Sequence, residues 1–124
     1  MKIYINMVKE VKEKWINALR SGEYEQGKGK LRKDNNYCCL GVLCDIYNKE
    51  TGDGEWVLKY KLGDNNVFNF NTNRESVDDV LSYNIANWAG LVNNNPNIIT
   101  KAIAGINDDG ATFEEIANLI ETHL

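Results

Sequence analysis

Apolar residues recur at helical spacing in the first part of the chain. From about Ile5 to Arg20, side chains at steps of three and four residues form one stripe: Tyr4, Val8, Val11, Trp15 and Leu19. Charged side chains occupy much of the opposite side. The pattern predicts an amphipathic helix that ends before Gly22, because glycine takes the left-handed backbone conformation that terminates many helices.

A turn-rich segment follows and predicts a hairpin. The run Gly27–Lys33 is separated from Tyr37 by residues 34–36, which are aspartate and asparagine. If this run is a strand, side chains alternate between its two faces. That alternation would place three cations on one face: Lys28, Lys30 and Arg32.

A second helix is predicted over Cys39–Tyr47, and its apolar residues surround it almost completely. Such a helix is typical of a buried position. Gly41 lowers the helix propensity by about 1 kcal/mol relative to alanine. Its presence indicates that another stretch of backbone passes close to this helix.

The remainder of the chain alternates between strand and helix patterns. Two strands are predicted over 56–58 and 67–71, joined by a turn at 63–66. A helix over 77–89 would have Ser76 as N-cap and Gly90 as its end. A short helix is predicted over 99–106, and a last helix begins with the capping box of Thr112 and Glu115.

These elements predict an α+β fold with four to five helices around a buried central helix and a small antiparallel sheet or hairpins. A length of 124 residues favours one globular domain over 1–124. At this size the chain can bury a sizeable core.

Net charge and hydropathy exclude some classes of function. The formal net charge is −4, which argues against a general nucleic-acid binder. No apolar run approaches the roughly 18 residues that a membrane helix needs. The first residues lack the hydrophobic block of a signal peptide. We therefore expect a cytoplasmic protein with no membrane partner.

Three clustered cysteines favour a structural role. Cys38 and Cys39 are adjacent, and Cys44 follows five residues later. This spacing does not match paired zinc ligands. A thiol nucleophile needs a base such as histidine, and the sole histidine, His123, lies far along the chain from the cysteines. We expect reduced, buried thiols, with no metal site, cofactor or catalytic cysteine.

The basic segment is the main candidate for ligand binding. Cations and glycine N–H groups could pair with phosphate, aromatic rings could stack on a base, and a glutamine could read its edge. The predicted ligand-binding residues are Tyr24, Gln26, Lys28, Lys30, Arg32 and Tyr37. The alternative is a solvated edge strand, whose lysines prevent sheet-to-sheet aggregation.

Other aromatic and acidic residues favour structural roles. Phe68 and Phe70, two positions apart, are typical of the core face of a sheet. The pair 78–79 would lie in the first turn of a helix, where the helix dipole favours carboxylates. The pair 108–109 precedes Gly110 in a natural turn.

Three stretches resemble a family of small proteins found in bacteriophages and prophages. They read KEKWINALRSGEYEQGKGKLRKDNNYCCLGVLCDIY, WAGL and INDDGATFEEIANLIE. Where many relatives have a proline before the WAGL helix, this chain has Leu81 and Ser82, which puts the start of that helix in doubt. The resemblance implies a phage setting, in which small accessory proteins often inhibit host defence.

Two functions are compatible with these observations. The first is sequestration of a nucleotide-like anion by the basic segment, with the protein as an oligomer. The second is inhibition of a host defence enzyme by direct docking, with Trp56 and Tyr60 as interface anchors. An enzyme that acts through carboxylates alone is the third and least favoured alternative.

Overall fold

The computed structural model describes residues 6–124. Within this range the chain forms five helices, a six-stranded sheet and a separate two-stranded sheet, so the α+β prediction is confirmed. The helices are α1 (Lys9–Arg20), α2 (Cys39–Thr51), α3 (Tyr83–Ala89), α4 (Ile103–Asp108) and α5 (Phe113–His123). The strands are β1 (Glu25–Gln26), β2 (Arg32–Lys33), β3 (Asn36–Tyr37), β4 (Gly54–Leu62), β5 (Asn65–Thr72), β6 (Ser76–Val77), β7 (Asn97–Ile98) and β8 (Lys101–Ala102).

The apolar stripe of α1 packs against α5 and α2. Three residues of the predicted stripe, Val11, Trp15 and Leu19, are buried together with Ile16, whereas Val8 is exposed and precedes the helix as its N-cap. The indole Nε1 of Trp15 donates a 2.9 Å hydrogen bond to the carbonyl of Cys39 at the start of α2. The predicted helix began at Ile5, but α1 begins at Lys9, and Tyr4 and Ile5 lie outside the described residues.

The first half of α2 is buried on all sides, and the reason for Gly41 is now visible. A Cβ at this position would lie 1.9 Å from the carbonyl oxygen of Leu31. The same carbonyl accepts a hydrogen bond from the N–H of Cys38. The predicted close approach of a second backbone is therefore confirmed, and this backbone is the segment that leads into β2.

Two further predicted helix starts are wrong. The helix predicted from Val77 begins at Tyr83, and Ser82 is its N-cap through a bond from the N–H of Ile85. Ser76 and Val77 form β6 instead, because β5 offers them a pairing edge. Since Asp78 precedes α3 by several residues, the predicted role of the pair 78–79 at a helix N-terminus is also wrong.

The helix predicted over 99–106 starts four residues later. Residues 97–102 form a tight hairpin of β7 and β8. Ile99 takes a positive φ of 61° at its tip, a conformation that sequence patterns do not predict for a β-branched residue. By contrast, Gly90 ends α3 as predicted, and the capping box of Thr112 and Glu115 is complete in α5.

The six-stranded sheet has the order β1-β3-β2-β5-β4, with β6 also paired to β5. All pairs are antiparallel except β1 with β3. The strand β4 is an edge: it pairs with β5 along its length and with no other described strand. Its regular pairing covers Gly54–Leu58, and an irregularity follows between Leu58 and Tyr60.

Candidate functional site

One row of side chains crosses four strands on the same face of the sheet. Arg32 pairs with Tyr37, and the pairing of Lys33 with Val67 brings Arg32 beside Phe68. Phe68 in turn pairs with Leu58 on the edge strand. We call this set, Tyr37, Arg32, Phe68 and Leu58, the Arg32 row. It places a cation among aromatic rings, with an exposed leucine at its end.

The guanidinium of Arg32 is held by rings and by two hydrogen bonds. Its carbon lies 4.1 Å from the ring centroid of Phe68, 5.4 Å from that of Tyr37 and 5.6 Å from that of Trp56. These distances are in the cation–π range. Nε donates to the carbonyl of Asp34 at 2.6 Å, and Nη2 donates to Oδ1 of Asn35 at 3.3 Å. The side chain is therefore fixed in position by its own hairpin.

Asp45 fixes the aromatic residues that flank this row. Its carboxylate accepts hydrogen bonds from the hydroxyl of Tyr24 at 2.5 Å and from Nε1 of Trp56 at 3.1 Å. Lys49 forms an ion pair with it at 3.2 Å. Burial raises the pKa of Asp45, but these hydrogen bonds outweigh it, so the pKa lies below the usual value. Burial and Asp45 together raise the pKa of Tyr24 to about 12.

The rings form a continuous edge-to-face chain. Tyr24 contacts Tyr37, Tyr37 contacts Trp56, and Trp56 contacts Phe70. Phe70 is fully buried in the core, whereas Phe68 is half-buried beneath Arg32. The prediction that both phenylalanines face the core therefore holds for Phe70 only, because a cation covers the other.

The predicted ligand-binding residues do not all come together. Tyr24, Arg32 and Tyr37 lie in one cluster. Gln26 instead donates both amide hydrogens, to Asn107 and to the carbonyl of Ala111. Lys30 forms an ion pair with Asp78 at 3.3 Å, and Lys28 is exposed.

The separation of the three cations follows from a shorter strand than expected. Only Arg32 and Lys33 of the run Gly27–Lys33 are in strand conformation. The N–H of Leu31 bonds instead to the carbonyl of Asp78, so the preceding residues follow a loop. The common face that a continuous strand would give to Lys28, Lys30 and Arg32 does not form.

Two residues that were not among the predicted ligand-binding residues organise this region. Asn107, fully buried in α4, accepts bonds from Gln26 and from the N–H of Cys39, and donates to the carbonyl of Gly27. Asp78 binds Lys30 and Lys59, which lowers its pKa even though burial acts in the opposite direction. Asp78 belonged to an acidic pair, and Asn107 directly precedes the pair 108–109 of a predicted turn, so neither pattern indicated these contacts.

The edge strand β4 exposes apolar side chains on both faces. Leu58 and Leu62 are 52% and 54% exposed, and Val57 and Tyr60 are also exposed. Monomeric proteins protect long edges by charges or irregularities. The lysines at 59 and 61 and the irregularity at Leu58 protect the second half of β4. This leaves Gly54–Leu58 as the regular part of the strand, and its outer edge pairs with no other described strand.

The three cysteines are buried and free. Burial raises the pKa of Cys38 to about 11 and raises those of Cys39 and Cys44 well above the usual value. Cys38 caps α2, since its sulfur accepts from the N–H of Gly41. Within residues 6–124, no group of three or more His, Cys, Asp or Glu side chains is placed to hold a metal ion.

Two surface depressions lie away from the Arg32 row. One, of about 380 Å³, lies between α3 and the loop that follows it and is lined by Tyr83, Asn87 and Val92 among others. Another, about 300 Å³, is lined by polar residues at the ends of β4 and β5. Neither includes a predicted ligand-binding residue.

Acid should weaken the contacts of Asp45. Because the folded state lowers its pKa, the stability that Asp45 contributes is present above the ordinary value of 3.8 and is lost as the pH falls through the folded-state value. We expect Asp45→Asn to be less stable at neutral pH and to show a weaker acid dependence. Thermal unfolding measured from about pH 6 down to about pH 2 checks this. Parallel curves for the two proteins would contradict it.

None of the helices that the structure describes is both long and apolar enough to span a membrane.

Comparison with known proteins identifies the family of this chain. No curated protein and no solved structure matches the chain. The family described as Domain of unknown function (DUF8296) matches residues 7–124. The match covers nearly the whole chain, and the protein therefore belongs to the DUF8296 family.

Proposed function

We propose that this protein is a binding module that docks on a partner protein through the regular part of β4. The observation that carries the proposal is the unpaired edge at Gly54–Leu58, beside exposed Leu58 and Val57. An exposed edge with apolar neighbours is a template for strand addition. In that mode main-chain hydrogen bonds supply affinity and side-chain contacts supply specificity.

The partner segment should be extended, apolar and acidic. Apolar contact comes from Leu58 on the face that holds the Arg32 row and from Val57 on the other. Arg32 and Lys61 lie on the first of these faces, and neither forms an ion pair within residues 6–124. An acidic residue beside an apolar one would therefore match both the charge and the hydrophobicity of this face.

A binding role also fits the absence of an activated nucleophile among the described groups. The raised pKa values of the thiols keep them protonated and unreactive. Asp45, the best-organised carboxylate, is occupied by three donors. The phage resemblance then supports a host defence enzyme in the cytoplasm as the docking partner.

Leu58→Lys is the test of this proposal. The substitution places a charge on an exposed position, so the fold should persist while edge pairing is blocked. We expect Leu58→Lys to lose a bacterial protein that the immobilised wild type retains. Its affinity should fall at least about tenfold, which corresponds to about 1.4 kcal/mol of binding free energy. Val92→Lys is the matched control, since Val92 is 60% exposed on a different surface.

The proposal fails if the two variants retain the same proteins as the wild type. It also fails if Val92→Lys loses the partner and Leu58→Lys keeps it. Circular dichroism of both variants establishes that each is folded before the comparison.

A nucleotide-like ligand is the second candidate. Arg32, held among Tyr37, Phe68 and Trp56, favours it. In this alternative the protein sequesters a signalling nucleotide, and assembly into a homo-oligomer would complete a site that one chain leaves open.

A further inference from the structure

The geometry points to an oxyanion-binding site at the end edge of the Arg32 guanidinium, with the phosphate of a nucleotide-like molecule as its ligand. This inference deepens the second candidate function and does not depend on docking at β4.

The hydrogen bonds of Arg32 determine which edge is available. A guanidinium carries five N–H donors and binds an oxyanion with two of them in parallel. Nε and Nη2, which form the side edge, already donate to Asp34 and Asn35. Nη1 makes no hydrogen bond to the described residues. The end edge is formed by Nη1 and the second hydrogen of Nη2. It therefore keeps two parallel N–H donors with no acceptor among the described residues.

The charge of Arg32 is not neutralised by its neighbours. No carboxylate of residues 6–124 lies within 4.0 Å of its nitrogens. In contrast, Lys30, Lys49 and Lys59 each form an ion pair. A cation that is partly buried without a counter-ion gains more from an added anion than an exposed one does, because water screens it less.

The surroundings favour phosphate attached to a planar body. The Phe68 ring centroid lies 4.1 Å from the guanidinium carbon, and this contact and the two hydrogen bonds hold the side chain in place before the ligand arrives. Because little rotamer freedom is left to lose, the entropic cost of binding is small. Tyr37 and Trp56, whose ring centroids lie 5.7 Å apart, offer ring surface beside Arg32 for a base, and Leu58 offers an apolar border.

Titration by NMR with three probes tests the site and identifies the source of the oxyanion. The probes are inorganic phosphate, ADP-ribose and a triglutamate peptide, each added to the ¹⁵N-labelled protein. We expect ADP-ribose to shift the Nε–H signal of Arg32 and the indole N–H signal of Trp56, and to bind more tightly than phosphate alone. If triglutamate binds more tightly than ADP-ribose, the nucleotide assignment is wrong and an acidic protein segment is the ligand.

Arg32→Lys and Lys33→Gln provide the matched comparison. Lysine keeps the charge but lacks the parallel donor pair and the planar stack, so the affinity for ADP-ribose should fall by about tenfold or more. Lys33 follows Arg32 in β2 and lies on the opposite face, so Lys33→Gln should bind within about twofold of the wild type.

Equal binding by Arg32→Lys and the wild type would overturn the inference, as would the absence of any shift at Arg32 with all three probes. Neither result would bear on docking at β4, because the Leu58→Lys comparison measures protein capture. The two proposals can therefore fail separately.

Discussion

Replacing Gly41 by alanine should destabilise the protein by about 2 kcal/mol, although alanine is the better helix former, because a clash this close lies at the upper end of the usual overpacking cost. Helix propensity alone would favour alanine by about 1 kcal/mol. The new Cβ, however, would lie 1.9 Å from the carbonyl oxygen of Leu31, and both Gly41 and Leu31 are buried. Overpacking of a buried contact typically costs about 1–3 kcal/mol. The clash therefore outweighs the propensity.

Thermal or denaturant unfolding measures the effect. A loss of this size should lower Tm by roughly 10 °C for a domain of this length. Gly105→Ala is the matched control. Gly105 is also helical, but the atom nearest to its added Cβ would lie at 3.5 Å, which is an ordinary van der Waals contact. If Gly41→Ala proves as stable as Gly105→Ala, the close packing of α2 on the loop before β2 is wrong.

Replacing Asn107 by leucine should cost about 3–4 kcal/mol, the sum of two buried polar groups left without partners. The N–H of Cys39 would lose its acceptor, and the carbonyl of Gly27 would lose its donor. The former lies at the N-terminus of α2, where a free N–H has no intrahelical partner. Gln26 would lose one of its two bonds as well.

Asn87→Leu in α3 is the control for the change of side chain, since Asn87 is exposed. We expect it to alter the free energy of unfolding by less than about 0.5 kcal/mol. An Asn107→Leu protein within that same range would show that the contacts of Asn107 contribute nothing to stability. The NMR spectrum of Asn107→Leu should also show altered signals for Gln26 and for the loop at Gly27.

The sequence predicted those elements whose signals are local. The capping box of Thr112 and Glu115 places both bonding partners within one turn, and α5 begins as expected. The left-handed Gly90 ends α3 for the same reason. Gly41 gave a longer-range signal, because a glycine inside an apolar helix has few explanations other than close packing.

The errors came from competition between neighbouring elements. Ser76 has the side chain of an N-cap, but β5 provides a strand for it to pair with, and Ser82 caps α3 instead. Ile99 would suit a helix, yet it occupies the tip of the β7–β8 hairpin. Pairing with a distant strand and the path of a turn depend on tertiary contacts that no local pattern records.

In the candidate site, too, the sequence predicted the local contacts but not those that depend on tertiary structure. Alternation along one strand predicted a face of Lys28, Lys30 and Arg32, but the strand is two residues long. Arg32 and Tyr37 remained together because they pair across a tight hairpin that the turn residues did predict. Phe68 and Leu58 joined them through strand order, which was not readable from the chain.

Hydrogen–deuterium exchange of the protein bound to the partner that it retains tests the docking surface most directly. We expect slower exchange of backbone N–H groups within Gly54–Leu58, with no change in α3 and its following loop around Val92. Protection of the Tyr83–Val92 surface with an unprotected β4 would contradict it.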